Sequence, residues 1–233
     1  MHLRRKLFLA ALMTVLLLAA RVAVAAPADE KEKVLRRLDA VAAKFSSTSA
    51  EVQIDSVETD PVPDTDVVKG TVYYERKGKS FKMAAHFTTE NGKSVPKVYV
   101  YSDGSFRLYE KLINQVTTFS KLSQYESWFM LGFGASGKDL EEKWEITYKG
   151  TEKLDGVTTA ILEMVPKDPA IRKNLPKVKV WMDLDRGVSL KQVFDEGPGQ
   201  YRVSVYFNIK VNQPLPKDAF TLDTNSQTQV VNR

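Results

Sequence analysis

The chain has 233 residues, with no cysteine and 34 Lys and Arg against 29 Asp and Glu. The lack of cysteine excludes disulfide bonds and thiol chemistry. Four of the basic residues (Arg4, Arg5, Lys6 and Arg21) lie before residue 26, so the rest of the chain is close to neutral, which argues against nucleic-acid binding.

The first 25 residues have the pattern of a secretory signal peptide. The basic cluster is followed by an apolar run, Leu7 to Ala20, and by small residues up to Ala26. That run is about 14 residues long, whereas a membrane-spanning helix needs roughly 20. We therefore predict cleavage of residues 1–25, export to the periplasm, and no stable membrane insertion.

An amphipathic helix is predicted over residues 29 to 45. Its apolar residues recur at spacings of one, three and four, and are Val34, Leu35, Leu38, Val41, Ala42 and Phe45. Asp29 is a suitable N-cap, and the serine-rich residues 46–49 are expected to end the helix.

About eleven short strands are predicted after this helix. Their ranges are 50–58, 67–76, 80–88, 96–102, 105–110, 115–120, 143–150, 157–165, 177–184, 187–195 and 200–210. Tight turns such as Asp103-Gly104 leave no room for crossover helices, so neighbouring strands must pair antiparallel. The predicted fold class is α+β, mainly β: one large curved antiparallel sheet, an unclosed barrel, with helices covering its concave face. Residues 26–233 are expected to form a single domain, with a flexible tail after Asp223.

Residues 122 to 133 interrupt the strands with large apolar side chains at mainly helical spacing, which predicts a short helix. The glycine-rich stretch 132–137 has some likeness to a phosphate-binding loop. It lacks the strand before it and the Gly-Lys-Ser/Thr ending, so a hinge or helix end is favoured. Residues 139–142 are expected to add one more helical turn.

No catalytic or metal-binding motif is evident in the sequence. His86 is the single histidine after the leader, and the acidic pair Asp183 and Asp185 falls at a predicted turn, where aspartate is common. We predict that the protein is not an enzyme and holds no metal or cofactor. A hydrolase site assembled from distant residues remains a minor alternative.

The predicted sheet has more apolar surface than two short helices can cover, which favours an apolar pocket. A solid core formed by the same side chains is the alternative.

Several short segments occur in the order and spacing of one protein family. They are Phe45-Ser46-Ser47-Thr48, Lys69-Gly70-Thr71-Val72-Tyr73-Tyr74-Glu75-Arg76, Phe81-Lys82-Met83, Tyr101-Ser102-Asp103-Gly104, Leu108-Tyr109, Gln115-Val116, Leu154-Asp155-Gly156, Leu162-Glu163-Met164-Val165-Pro166-Lys167 and Val180-Trp181-Met182-Asp183. With these segments the chain resembles the periplasmic outer-membrane lipoprotein carriers, the LolA-like proteins, over nearly all of its length after the leader.

The resemblance implies a half-barrel with a helical lid over a cavity for the acyl chains of a lipoprotein or another lipid. By that resemblance Arg76 corresponds to the arginine that holds the lid closed, although Lys77-Gly78 stands where the family usually has a proline. The tryptophan usual after the Asp-Gly turn is also missing. The expected lid residues are Leu122, Trp128, Phe129, Leu131 and Phe133, and the expected cavity walls are Val72, Tyr74, Phe81, Met83, Tyr99 and Tyr101.

The implied function is a monomeric carrier that moves lipid or lipoprotein towards the outer membrane. Its implied partners are an inner-membrane release complex and an outer-membrane acceptor. The alternative within the same fold is a sensor or interaction module that regulates an envelope-stress membrane protein. The outer-membrane receptor of this fold is a lipoprotein, and the absent cysteine argues against that role.

Overall fold

The computed structural model of the protein describes residues 27–78, 80–120 and 130–233. The strands are β1 Ser47–Glu58, β2 Asp64–Lys77, β3 Ser80–Glu90, β4 Lys93–Ser102, β5 Ser105–Glu110, β6 Gln115–Phe119, β7 Trp144–Leu154, β8 Val157–Pro166, β9 Lys177–Asp183, β10 Val188–Gly197, β11 Gln200–Val211 and β12 Gln229–Asn232. The helices are α1 Pro27–Ala42, α2 Gly137–Lys143 and α3 Pro169–Arg172, with a 3-10 turn at Lys111–Ile113.

All twelve strands form one sheet, which runs in the order β12-β6-β5-β4-β3-β2-β1-β11-β10-β9-β8-β7. Two meanders, β1–β6 and β7–β11, are joined by the antiparallel pairing of β1 with β11. Within the described residues β7 and β12 are the free edges, so the sheet is an open half-barrel. The predicted fold class is confirmed.

The sheet has one strand more than the eleven predicted. Strand β12 pairs parallel with β6, from Gln229 opposite Gln115 to Asn232 opposite Thr118. Composition predicts disorder for this polar tail, because it offers few apolar side chains to bury. Backbone hydrogen bonds to the otherwise unpaired edge of β6 provide the missing stabilisation.

Helix α1 ends at Ala42, three residues before the predicted end, and β1 already begins at Ser47. Phe45 lies in the short connection and is buried against the sheet. Its side chain therefore belongs to the apolar core, as predicted, although its backbone is not helical. The turn predicted at residues 139–142 is part of α2, where Ser136 Oγ accepts a hydrogen bond from Asp139 N at 3.0 Å.

The inner face of the sheet is the face on which α1 packs, and two apolar clusters lie on it. The first fills the space between α1, α2 and β7–β10, and it includes Leu38, Leu131, Trp144, Leu162, Met164 and Val180. The second lies on β1–β4, β10 and β11, and it includes Phe45, Val52, Tyr74, Phe81, Tyr101, Phe133 and Tyr206. No helix in the described part of the chain has the length and apolarity needed to cross a bilayer.

Candidate functional site

The six predicted wall residues lie together on the inner face of β2, β3 and β4. Strand register places Tyr74 opposite Met83 and Met83 opposite Tyr101. Two residues further along each strand, Val72 is opposite Ala85, and Ala85 is opposite Tyr99. The remaining wall residue, Phe81, is on the same face because it is two residues from Met83. The six residues therefore share one face of the sheet, and their role as cavity walls stays a prediction.

One end of this surface is filled by the protein's own side chains. Tyr74, Phe81 and Tyr101 are all buried there. Phe133 stacks on Tyr74, with 4.1 Å between ring centroids and 10° between ring planes. Phe133 also meets Tyr206 edge to face at 4.8 Å. We call this group the packed end of the inner face.

Two buried tyrosine hydroxyls at the packed end have altered acidity. Burial raises the pKa of Tyr206 to about 12, because a phenolate is poorly solvated there. Burial likewise raises the pKa of Tyr74, well above its usual value. Tyr206 Oη donates a hydrogen bond to Gln192 Oε1 at 3.1 Å, and Gln192 Nε2 donates to Leu131 O at 2.7 Å. This chain of bonds ties residues 131–133 to strands β10 and β11.

Two glycines place the Phe133 ring. Gly132 and Gly134 have φ angles of +82° and +71°, a region that residues with a Cβ atom seldom adopt. A Cβ atom on Gly134 would lie 2.3 Å from the Phe45 ring, and one on Gly132 would lie 2.5 Å from Ser189 Cβ. The glycine-rich segment is thus a tight connection pressed between the sheet and Phe45.

The predicted lid residues fall in different places. Leu122, Trp128 and Phe129 lie outside the described residues. Leu131 packs in the first cluster, beneath α1 and apart from the predicted walls, whereas Phe133 packs on Tyr74. Whether these side chains move as a lid stays a prediction.

Arg76 connects the end of β2 to helix α2. Its Nη2 atom lies 3.9 Å from Asp139 Oδ2, and its backbone N–H donates to Ser46 O at 2.8 Å. The side chain is on the same face as Val72 and Tyr74. The ion pair bridges two elements at the packed end, and a role of Arg76 in cargo transfer stays a prediction.

Beyond the packed end, the inner face carries a row of aromatic side chains that are only half buried. The row crosses β3 to β6 and consists of Phe87, Tyr99, Phe106 and Phe119. Successive ring centroids are 5.5, 5.7 and 6.4 Å apart. Met83 and Leu108 are half buried beside it. We call this set the aromatic row.

Sequence analysis selected only Tyr99 and Met83 from this surface. Phe87, Phe106, Leu108 and Phe119 were missed, although alternation along each strand contained the signal. Phe87 follows Phe81 and Met83 at even spacing, and Leu108 is two residues after Phe106.

Three charged side chains, Glu90, Lys97 and Glu110, border the aromatic row on the side away from the packed end. We call them the charged rim. Lys97 Nζ lies 3.0 Å from Glu90 Oε2, and Glu110 is opposite Lys97 across β4 and β5. The Glu90 hydrogen bond raises the pKa of Lys97 most, partial burial opposes it, and the charges of Glu90 and Glu110 add to the rise. Burial raises the pKa of Tyr99, Lys97 opposes that rise, and Glu110 and Glu90 add to it.

The residues weighed for catalysis have structural contacts. His86 Nε2 lies 2.9 Å from Ala219 O, and its ring meets Tyr73 edge to face at 5.1 Å. The Asp183 carboxylate accepts hydrogen bonds from Asp185 N at 2.9 Å and Arg186 Nε at 2.6 Å, which stabilise the β9–β10 turn. In residues 27–78, 80–120 and 130–233, no group of three or more His, Cys, Asp or Glu is placed to hold a metal ion.

Comparison with solved structures identifies the fold. A conserved protein of Thermus thermophilus aligns with a TM-score of 0.56 and 13% identity, over 88% of this chain and 99% of that one. MucB aligns with a TM-score of 0.50 and 14% identity, over 87% of this chain and 66% of MucB. A LolA superfamily protein of Nitrosomonas europaea aligns at 16% identity over 83% of this chain and 98% of its own, with a TM-score of 0.41.

The chain shares its fold with the Thermus thermophilus protein and with MucB, and this open half-barrel is the kind of fold that the sequence resemblance implied. Identities of this size establish the fold alone.

Sequence comparison adds one curated relative. An uncharacterized protein of Methanocaldococcus jannaschii is 26% identical over 166 residues, which are 71% of this chain and 45% of that protein. The chain therefore spans about half the length of the curated relative it matches. No family model matches the chain.

Proposed function

We propose that the protein is a periplasmic carrier that shelters the hydrocarbon chains of a lipoprotein or another lipid on the inner face of its half-barrel. It is exported by a leader cleaved after residue 25, and residues 26–233 act as one monomeric domain. The carrier receives its cargo at the inner membrane and moves it towards an acceptor in the outer membrane. It performs no chemistry on the cargo.

The half-buried aromatic row is the observation that carries this proposal. A soluble domain normally buries such a contiguous set of large apolar side chains or uses it for binding. Here the row adjoins a packed end that is filled, so hydrocarbon placed on the row extends an existing apolar surface. Each methylene removed from water contributes about 0.8 kcal/mol, and side chains that are only half buried leave the bound state weak enough for release.

Recovery of lipid with the protein tests the carrier function. We expect native mass spectrometry of protein purified from its own periplasm to detect bound lipid or lipoprotein. Phe106→Asp places a charge in the middle of the aromatic row and is expected to abolish that signal. Phe207→Asp is the matched control, because Phe207 is an exposed phenylalanine on β11 and faces away from the inner side.

Two results would contradict the proposed carrier function. One is wild-type protein that is consistently free of lipid, both from cells and after incubation with vesicles. The other is equal lipid retention by Phe106→Asp and the wild type, since the aromatic row would then take no part in binding. Circular dichroism of both variants establishes that the sheet is intact.

A second candidate function is a sensor or interaction module that regulates an envelope-stress membrane protein. A separate surface favours it: Tyr201, Val203, Val205 and Phe207 form an apolar strip along the outer face of β11, and the two aromatic residues are each 38% exposed. Such strips mark protein contact sites.

The two candidates predict opposite variant effects. If the protein is a sensor, capture of a single-pass inner-membrane protein from solubilised membranes is lost in Phe207→Asp and kept in Phe106→Asp. The carrier predicts the reverse pattern for bound lipid. The two assays on the same three proteins therefore distinguish the functions.

A further inference from the structure

The inner face of strand β4 changes character along its length. Tyr101 at one end is 1% exposed, Tyr99 is half buried, and Lys97 beyond it carries a charge. Strand β5 repeats the pattern, because Phe106 is opposite Tyr101, Leu108 is opposite Tyr99, and Glu110 is opposite Lys97. Both strands therefore run from apolar to charged in the same direction. An amphipathic molecule on this surface has one favourable orientation, with its polar group at Lys97 and Glu110.

The charged rim can bind both an anionic group and a cationic group of a ligand. A lysine ammonium has three N–H donors, and at Lys97 one of them is used by Glu90 at 3.0 Å. Within residues 27–78, 80–120 and 130–233 no other side chain accepts from this ammonium, so two donors remain for an anionic group. In the described part of the chain, no side chain forms a hydrogen bond or ion pair with the Glu110 carboxylate, which leaves it available to a cation.

The balance of charge at the rim selects among headgroups. Glu90, Lys97 and Glu110 together carry one positive and two negative charges. A headgroup that is only anionic gains the Lys97 contact but is repelled by Glu110. A headgroup with both a phosphodiester and a primary ammonium satisfies Lys97 and Glu110 at once, and charge-assisted hydrogen bonds of both kinds are strong.

We propose that Lys97 and Glu110 bind a zwitterionic phospholipid headgroup, with the phosphate at Lys97 Nζ and the ammonium at Glu110. This inference rests on the proposed carrier function and specifies its ligand class. The acyl chains then lie along the aromatic row towards the packed end. Glu90 holds Lys97 in position over the inner face, so it acts as a positioning residue.

Competition between two lipids in one vesicle population tests the inference. The full-length exported protein is incubated with vesicles of phosphatidylethanolamine and phosphatidylglycerol in equal amounts, separated from them, and analysed for bound lipid by mass spectrometry. We expect the wild type to enrich phosphatidylethanolamine on the order of tenfold, the size of effect that one charge-assisted contact gives. For Glu110→Gln, the ratio of bound phosphatidylethanolamine to bound phosphatidylglycerol should be close to the ratio in the vesicles.

Other variants separate the two contacts. Glu110→Lys should invert the preference towards phosphatidylglycerol. Lys97→Gln should lower the total amount of both lipids, because both contain the phosphate, and should change their ratio little. Lys93→Gln is the matched control, since Lys93 is opposite Glu90 at the exposed end of the β3–β4 hairpin and should bind as the wild type does.

The outcomes distinguish the inference from the function on which it rests. The headgroup assignment is wrong if the bound ratio of phosphatidylethanolamine to phosphatidylglycerol equals that of the vesicles, or if Glu110→Gln and Glu110→Lys leave that ratio unchanged. Either result is still compatible with the carrier function. No bound lipid of either kind overturns both. Unchanged thermal unfolding of each variant establishes that a lost preference is not a lost fold.

Discussion

The ring of Phe133 lies parallel to the ring of Tyr74, with 4.1 Å between their centroids, although Tyr74 is on β2 and Phe133 ends the central apolar segment much later in the sequence. Phe133 also forms an isolated antiparallel bridge with Val188 and is fully buried. The segment that the sequence associates with a lid thus contributes at least one side chain to the permanent core.

Replacing Phe133 by alanine should therefore act as a core truncation. We expect Phe133→Ala to lower the free energy of unfolding by about 3 to 5 kcal/mol, the range for a buried phenylalanine. Phe207→Ala, at an exposed phenylalanine, should change it by less than about 0.5 kcal/mol. Urea denaturation followed by circular dichroism measures both. A loss below about 1 kcal/mol for Phe133→Ala would mean that the ring is easily displaced and belongs to a mobile lid.

Stability should fall in alkaline solution because of the buried tyrosines. The folded-state pKa of Tyr206, about 12, is above the ordinary value of 10.0, so the folded state holds its proton longer than the unfolded state does. This contribution is complete below about pH 10 and is lost as the pH rises towards 12, at up to about 1.4 kcal/mol per pH unit. Tyr74 acts in the same direction.

Urea unfolding at several values from about pH 8 to pH 11.5 measures this slope. Tyr206→Phe should reduce it, and Tyr201→Phe, at an exposed position, should not. Equal slopes in the wild type and in Tyr206→Phe would contradict the assigned burial effect. The neutral-pH stability of Tyr206→Phe should also be lower, since Gln192 Oε1 loses its donor at 3.1 Å.

Two glycines with similar backbone angles should respond differently to alanine. Gly78 and Gly134 have φ angles of +61° and +71°, so both substitutions incur a backbone cost of about 1 kcal/mol. A Cβ atom on Gly78 meets nothing within 4 Å, whereas one on Gly134 meets the Phe45 ring at 2.3 Å. Gly134→Ala should therefore be destabilising by a further 1 to 3 kcal/mol, roughly the cost of overpacking. Comparable melting temperatures for the two variants would show that the Phe45 ring moves aside freely.

Arg76 should matter more for transfer than for folding. The 3.9 Å separation between Arg76 Nη2 and Asp139 Oδ2 and the exposure of Asp139 indicate a coupling energy below about 1 kcal/mol. A double-mutant cycle with Arg76→Leu and Asp139→Asn measures it. The cycle removes the separate cost of losing the capping hydrogen bond that the Asp139 carboxylate accepts from Ser136 N at 3.3 Å. If the proposed carrier function holds, Arg76→Leu alters lipid transfer between vesicles and an acceptor. Transfer at the wild-type rate would exclude Arg76 from the site.

The strand pattern was predictable because local chemistry encodes it. Even-numbered alternation in β2 and odd-numbered alternation in β3 and β4 placed the six predicted wall residues on one face, and Asp103-Gly104 marked the hairpin between β4 and β5. These features depend on residues within about ten positions of one another. The same period-two pattern also contained the residues of the aromatic row. They were not predicted as site residues because alternation does not distinguish one apolar strand residue from another.

Other features depend on contacts that no local pattern encodes. The parallel pairing of β12 with β6 joins residues more than a hundred positions apart, and it is made by backbone groups in a segment whose side chains are mostly polar. The burial of Phe133 depends on the two flanking glycines with positive φ, and also on the distant Phe45 and Tyr206. The half-exposed state of the aromatic row likewise follows from what covers it, which is a property of the assembled molecule.

The β1–β11 junction has a consequence for how the chain acquires its structure. Each meander can form from hairpins between strands that are adjacent in the sequence. In contrast, Glu58 pairs with Gln200 and Thr48 with Val211. The two meanders can therefore pair only after nearly the entire polypeptide is present. High sequence separation slows such closure. If the chain is exported as we propose, this slow closure keeps it unfolded for longer, and the sheet is completed only after translocation.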